Sequence, residues 1–446
     1  MALQNDKPAP AFDVLLFGAT GFTGRLITRY LSAHPQRSTF KFAIAARSKS
    51  KLDALVNELG LDKNTSILVV DVTKKDQVEE AVKQTKVVIN TVGPYWRWGT
   101  PVVRACAVHG RHYVDLTGET PWIMSIIFKY DYLAFKTGAM IIPSCGMDSI
   151  PSDISVYLSN KTLKAAAGPD ACIDESTTAF KIKGGISGGT IASMFTMLEE
   201  VPPHIVKAAR QDFAISTSVT GRLSKPPRLV YTLPQVTPPI IGSFFIMSHS
   251  NKAIVQRSWG LFQMDAFKAE AKATAAEKDS KKLLTYGPEF RYEEFLAMPS
   301  TIGAAAFSLV MGLIAVTLMI PPLRYLAKRY LPKSGYGPSD QEMEKGFLKA
   351  TNITSSIPTS TAPRTHVKTV IKGRGDPGYL LTSMMISECA LALALEQDAL
   401  PRREGGVLTP VTALGDVLVK RLKDTGRFEF ESEVLKSGEA DTRKTR

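Results

Sequence analysis

The strongest constraint on this chain is a junction. An apolar run, Phe12–Phe17, breaks into Gly18-Ala19-Thr20-Gly21-Phe22-Thr23-Gly24 and then into an amphipathic stretch in which Leu26, Ile27, Tyr30 and Leu31 share one helical face. A strand that turns into a helix through three spaced glycines is the context of a phosphate cradle. Gly18 permits the tight turn, Gly21 lets backbone approach an anion, and Gly24 lets the helix close onto the sheet. The unpaired N–H groups of the first helical turn and the helix dipole then hold negative charge. Thr20, Phe22 and Thr23 complete the candidate cradle.

The alternation begun there continues to Pro151. Strand-like runs at Lys41–Ala46, Ile67–Val70, Val87–Val92, Tyr113–Leu116 and Met140–Pro143 are separated by helical patterns. Short strands that are apolar on both faces and alternate with helices predict an α/β unit, a doubly wound parallel Rossmann sheet over residues 10–151. Residues 152–364 change to mixed helix, strand and proline-rich loop, and predict an α+β second domain. Thr365–Lys372 then reads as a strand, Tyr379–Glu396 as a long apolar helix and Val411–Leu422 as a last helix. Residues 365–430 are therefore expected to return to the core.

The second strand ends in Arg47-Ser48-Lys49. An acid near that position would hold the ribose hydroxyls of NAD. Arg47 instead offers a planar fork to a 2′-phosphate, with Ser48 and Lys49 as further donors, so NADP(H) is the expected cofactor. Asp71, ending the third strand, is expected to line the adenine pocket. Val92 and Gly93, in Asn90-Thr91-Val92-Gly93-Pro94, would lie toward the nicotinamide.

Several phrases together resemble the saccharopine dehydrogenase-like oxidoreductase family, in the branch that contains trans-acting enoyl reductases. They are the glycine loop, Ala45–Ser48, Asn90–Tyr95, Tyr113–Glu119, Pro143–Asp153, Gly184–Thr190 and Gly405–Pro410, in the family's order. The resemblance implies an NADP-dependent enzyme with a substrate domain inserted before a C-terminal return to the core. It also implies links to lipid or glycolipid synthesis, without implying saccharopine chemistry.

Catalytic candidates are sparse. Tyr132 and Lys136 match the YxxxK pair of short-chain reductases and share a helix face, but Glu119 stands where those enzymes carry a serine. Cys145-Gly146-Met147-Asp148-Ser149 follows a strand at the carboxyl edge of the sheet, where open α/β folds bind ligands. Asp148 and Ser149 are the candidates there, either capping the next helix or working near the nicotinamide. Cys145 has no base assigned to it. Lys183–Thr190 is a glycine-rich turn suited to an anion or to close backbone crossing. His109 and His112 lack companion ligands, so no metal site is expected. Four scattered cysteines without a CxxC suit reduced thiols.

A net charge of +13 invites polyanions as partners, yet the basic residues form no run and no aromatic platform interleaves them, so nucleic acid is not expected. Phe295 to Leu323 carries no charge, and Arg324, Lys328, Arg329 and Lys333 follow at once. As one helix, Ile302–Leu323 would reach about 30 Å. The following core-like segments disfavour a simple span. The expectation is a monotopic insertion through 302–333 into a membrane surface or lipid droplet (endoplasmic reticulum or plasma membrane included), with the enzyme body cytosolic. A helix buried in the second domain or at a homodimer interface is the competing reading. The substrate is expected to be a lipidic or polyketide-like small molecule reduced by NADPH, with an NADPH-binding membrane protein of little turnover as the alternative.

Overall fold

The computed structural model describes residues 10–62, 65–216, 221–330, 335–359, 363–402 and 404–435. Its first part runs β1 (Phe12–Phe17), α1 (Phe22–Ser32), β2 (Phe42–Ala46), α2 (Lys49–Leu59), β3 (Thr65–Val69), α3 (Lys75–Lys83), β4 (Thr85–Asn90), α4 (Tyr95–His109), β5 (His112–Asp115), α5 (Thr120–Thr137), β6 (Met140–Ile142) and α6 (Ile150–Ala167). The second part runs β7 (Ile173–Lys183), α7 (Gly188–Glu199), α8 (Pro203–Ala209), β8 (Tyr231–Leu233), β9 (Ile240–Ser243), α9 (Ser248–Lys272), α10 (Ala275–Leu284), β10 (Tyr292–Met298), α11 (Thr301–Met319), α12 (Pro321–Tyr330) and α13 (Asp340–Glu344). It ends with β11 (Phe347–Ser356), β12 (His366–Arg374), α14 (Leu380–Leu395), β13 (Gly406–Val407), α15 (Pro410–Asp424) and β14 (Phe428–Val434).

The first sheet has the order β13-β6-β5-β4-β1-β2-β3 and is parallel throughout. Because side chains alternate along a strand, β1 feeds two cores: Val14 and Leu16 enter one, Leu15 and Phe17 the other. The chain order reverses between β1 and β4, and that reversal opens a crevice at the carboxyl ends of the strands. The doubly wound expectation holds.

The second sheet, β14-β12-β11-β7-β10-β9-β8, is mixed: β7 and β10 run parallel and the other neighbours antiparallel. Its interior is unusually polar. Asn352 donates to Ser176 Oγ at 2.8 Å and Thr178 Oγ1 at 2.9 Å, Ser159 Oγ on α6 meets Thr369 Oγ1 at 2.7 Å, and Ser152 on α6 donates to Glu294 at 2.7 Å. These groups are buried, and their mutual hydrogen bonds are what make burial tolerable.

Residues 365–430 serve both sheets. β12 and β14 join the second, while β13 pairs with β6 and α14 packs on β1, β4, β5 and α1. Glu388 of α14, itself buried, locks this return in place, accepting from half-buried Tyr30 of α1, from His34 at 3.0 Å and from buried Arg421 of α15 at 2.6 Å.

The apolar run differs from the single helix expected from Ile302 to Leu323. It breaks at Ile320, because Pro321 and Pro322 cannot continue the ladder of α11 and instead start α12. α11 is not a core helix either: only Ala304 and Ser308 are buried along it. It rests on β9 and β10, pinned where Ser308 donates to the Leu229 carbonyl at 2.7 Å and accepts from the Phe244 amide at 3.1 Å. Arg324 and Lys328 are drawn to Glu199 of α7, at 3.1 and 2.5 Å, instead of standing free. Arg329 is exposed, and Lys333 lies outside the described residues.

Candidate active site

The glycine loop sits at the topological reversal. Gly18 takes φ +83°, a left-handed conformation that favours glycine, and its amide donates to the Ala45 carbonyl at 2.9 Å. A Cβ on Gly18 would lie 2.6 Å from Thr91 Oγ1, and one on Gly24 only 2.1 Å from the Gly18 carbonyl oxygen. Those two glycines close α1 onto the strand. Gly21 differs: it is exposed, a Cβ there meets only Gly18 O at 3.3 Å, and it precedes α1 without a side-chain cap. The first-turn amides of Phe22, Thr23 and Gly24 have no carbonyl of the preceding turn to bond. That arrangement fits a pyrophosphate, with Thr20 and Thr23 partly exposed beside it. The Phe22 ring turns away to an edge-on contact with Tyr379 (centroids 5.2 Å apart), against Gly337, leaving its amide to the cradle.

Arg47 projects from the end of β2, exposed and without a hydrogen bond among the described residues. Asp71, just beyond β3, is occupied: its Oδ1 accepts from Thr73 N at 2.9 Å and Thr73 Oγ1 at 2.8 Å, which holds its carboxyl below the usual range. Ser48 caps α2 by accepting from Lys51 N at 3.4 Å, and Lys49 pairs with Asp53 at 2.8 Å. Of the three donors expected for a 2′-phosphate, Arg47 is thus the one left uncommitted. Val92 and Gly93 follow β4 into the crevice, with Val92 N bonded to Asn90 Oδ1 at 3.0 Å.

Beyond them, the loops after β4, β5 and β6 converge. Glu119 accepts from the amides of Tyr95 at 2.9 Å and Trp96 at 2.7 Å, so it holds the start of α4. The Tyr95 hydroxyl donates to Asn90 O at 3.0 Å and accepts from Leu116 N at 3.1 Å. Asp115 accepts from Thr117 N, Ser144 N and the Tyr113 hydroxyl at 2.8–2.9 Å, and burial pushes it up to about 7. Ser193 of α7 reaches the same place, 3.7 Å from where a Cβ on Gly93 would lie. Sequence patterns single out the motif around Asp115 and Glu119 but not these contacts, since Ser144 and Ser193 arrive from distant segments.

Asp148 lies in the loop after β6, half-buried, with its carboxylate carbon 3.7 Å from the Cβ position of Gly118. It accepts no hydrogen bond among the described residues, and loss of hydration pushes it up to about 6. Ser149 precedes α6 but does not cap it; its hydroxyl turns to the Asp148 carbonyl. Neither residue therefore plays the capping role.

The remaining candidates fall elsewhere. Tyr132 is exposed, with the Lys136 ammonium 5.5 Å from its ring centre. The pair sits some 18 Å along α5 from the end that meets the carboxyl edge. The Cys145 thiol is buried, donates to Ile142 O at 3.2 Å and is pushed up by burial, the opposite of an activated nucleophile. The 183–190 turn is consumed by packing. Gly185 N donates to Asp376 at 2.6 Å, Ser187 N to the Tyr379 hydroxyl, and a Cβ on Gly184 would lie 2.7 Å from Asp376. His112 is bonded to Met140 N and Gln397. No group of three His, Cys, Asp or Glu side chains fit for a metal occurs among the described residues.

The family described as Saccharopine dehydrogenase NADP binding domain matches residues 14–142. Over 434 residues the chain is 35% identical to a Mycobacterium tuberculosis protein whose name assigns it provisionally as a trans-acting enoyl reductase, covering 93% of this chain and 96% of that one. It is 30% identical, with the same coverage, to the trans-acting enoyl reductase of Mycobacterium ulcerans. Among solved structures, saccharopine dehydrogenase (L-Glu forming) of Saccharomyces cerevisiae aligns over 95% of this chain and 100% of that chain, with a TM-score of 0.50 and 11% identity, a likeness of fold alone. With its glycine cradle, its basic residue at the second strand and its relatives across nearly the full length, the chain belongs to the saccharopine dehydrogenase-like family of NADP-dependent oxidoreductases, in the branch of the trans-acting enoyl reductases.

Proposed function

We propose that this oxidoreductase reduces the carbon–carbon double bond of a lipidic enoyl substrate while seated on a membrane or lipid-droplet surface. The observation that carries the reading is the exposed apolar face of α11. Ile302, Leu309, Val310, Leu313 and Val316 are each more than half exposed, and Phe244 and Ile246 extend the patch beside β9. A contiguous apolar surface of this kind marks an interaction site. Withdrawing such side chains from water is worth about 1.5–3 kcal/mol each.

Connectivity sets the mode of contact. β10 enters α11 and β11 follows α12 and α13, and both strands are hydrogen-bonded to β7. A crossing helix would have to part strands of one sheet, so the geometry favours insertion into one leaflet. Arg329 then faces the headgroups, and each cation held near an anionic surface contributes about 1 kcal/mol. When bound, the cofactor supplies a hydride. Arg47 and the first turn of α1 hold its phosphates, and the loops after β4 to β6 orient the acceptor.

The test joins location and substrate. Flotation with anionic vesicles should carry the wild type upward, and Leu309→Ser/Leu313→Ser/Val316→Ser should leave it in the soluble fraction. NADPH oxidation should be faster with long-chain enoyl thioesters than with ketones or imines. A wild type that ignores vesicles and sediments as a dimer would replace the membrane by a second copy on α11. Preference for a polar imine would overturn the lipidic substrate.

A further inference from the structure

We propose that the Asp148 carboxyl is the proton donor of the reduction, delivering its proton to the substrate carbon beside the carbonyl. The assignment rests on the enoyl reading above and comes from elimination at one place in the fold. The loops after β4, β5 and β6 bring a small set of protic side chains to the crevice, and all but one are spent on the protein itself. Thr91 Oγ1 donates to Phe17 O at 2.9 Å, and the Ser144 hydroxyl to Thr117 O at 2.6 Å. Thr117 is wholly buried, its Oγ1 accepting from Glu119 N at 3.1 Å, and so is out of a substrate's reach. Tyr95, Asp115 and Glu119 are committed as described, and Cys145 donates to a carbonyl.

Among the described residues of these loops, Asp148 alone is both reachable and uncommitted. It is partly exposed and its side chain lies beside Gly118, where a Cβ would stand 3.7 Å from the carboxyl carbon. An unpaired carboxyl in a dry setting is destabilising, and no structural partner for it exists among the described residues. A group retained without partners at the carboxyl edge of a doubly wound sheet is a functional candidate. The titratable groups around it are Tyr95, whose phenol the Asp148 charge pushes up, and Asp115 and Glu119, which act on the same phenol.

The step balances. The β-carbon receives a hydride, and the π pair moves toward the carbonyl. The Asp148 O–H bond then breaks as its proton bonds the adjacent carbon, and the carboxylate left behind regains a proton from water. Asp148 works only in its acid form, so turnover should fall as pH rises past about 6.

Asp148→Asn tests this with little risk to folding, because no hydrogen bond is lost. General acid catalysis contributes about 10²–10⁴-fold, so kcat should fall at least a hundredfold while NADPH affinity, read by fluorescence, stays within twofold. The alkaline fall of the wild-type rate near pH 6 should vanish in the variant. Independently of turnover, carbon-13 NMR of the labelled protein should show one carboxyl titrating near 6 that is missing from Asp148→Asn. A variant with kcat within threefold of wild type, or an Asp148 carboxyl titrating near 4, would overturn the assignment. If the wild type refuses enoyl thioesters but reduces a ketone or imine, the substrate reading fails by itself. The same variant is then judged on that acceptor by the same criteria.

Discussion

Two glycines of one loop should fail in opposite ways. A Cβ on Gly24 would stand 2.1 Å from the Gly18 carbonyl oxygen and 2.8 Å from its carbon, where ordinary contacts begin at 3.4 Å. Both obstacles are backbone, so α1 must lift by more than an ångström at its first turn. That movement loosens Leu26, Ile27 and Leu31, all buried against the sheet. Overpacking costs about 1–3 kcal/mol, and the disturbed helix adds to it, so Gly24→Ala should unfold several degrees below wild type. Gly21→Val meets only one oxygen at 3.3 Å, in an extended backbone (φ −76°, ψ 167°) that suits a β-branched residue. Its melting temperature should stay within about two degrees. The added side chain, however, occupies the approach of the pyrophosphate, and losing two charge-assisted contacts of about 1.5–3 kcal/mol each weakens binding by about 10²–10⁴-fold. Thermal unfolding with and without NADPH separates the cases. At a hundred times its Kd the cofactor stabilises wild type by about 2.7 kcal/mol, and Gly21→Val should show no such gain. A Gly21→Val protein that NADPH still stabilises, or a Gly24→Ala protein with wild-type melting, refutes the reading of the loop.

Arg47→Ala should weaken NADPH by about ten- to a hundredfold, the worth of a charged hydrogen bond, and leave NADH nearly unchanged in parallel titrations; a wild type that prefers NADH would sink the idea. Stability should also decline as pH rises from about 6.5 to 8. Burial pushes Asp115, Asp153 and Glu294 up to about 7. Carboxyls raised above their unfolded values contribute stability that is complete below about pH 4 and lost as pH climbs through 7. Burial lowers His109, His112, His249 and His366. They oppose this trend only below about 6.5, where the unfolded imidazoles begin to charge. A melting temperature that rises between pH 6.5 and 8 contradicts the assignment.

The parallel sheet was legible because its physics is local. β1 appears in the sequence with its observed limits, and β2 to β6 within two residues, since the central strands are buried on both faces and read as apolar runs. Edge strand β3 is apolar too, although Ile67 and Val69 stand exposed. Of the second sheet, β12 was legible as the run Thr365–Lys372, but β7 and β11 were not. The face of those two strands that packs on α6 carries Ser176, Thr178, Asn352 and Thr354, so the alternation that betrays a half-buried strand is missing. β14 is an edge strand, and its glutamates guard against further pairing. The cofactor cradle could be read because Gly18, Gly21 and Gly24 are neighbours in the chain. The neighbourhood of Asp148 could not, because Gly118 reaches it from a separate segment, the loop after β5.

The return of the C-terminal region has a consequence for how the molecule is made. The parallel strands leave the ribosome first, but the face bearing Leu16, Ile89 and Val114 is closed by α14, with Leu381, Met385 and Ile386 in the same core. At about 5–20 residues per second, tens of seconds pass between the emergence of β5 and that of α14. During that interval α11 also appears, so a growing chain presents two oily surfaces at once, one destined for the interior and one for the outside. A fragment cut at residue 151 would stay in that unfinished condition, as a Rossmann unit by sequence that lacks its own lid. Until α14 emerges, that face of the sheet has no helix of its own to close it, so the oldest strands wait for one of the youngest helices.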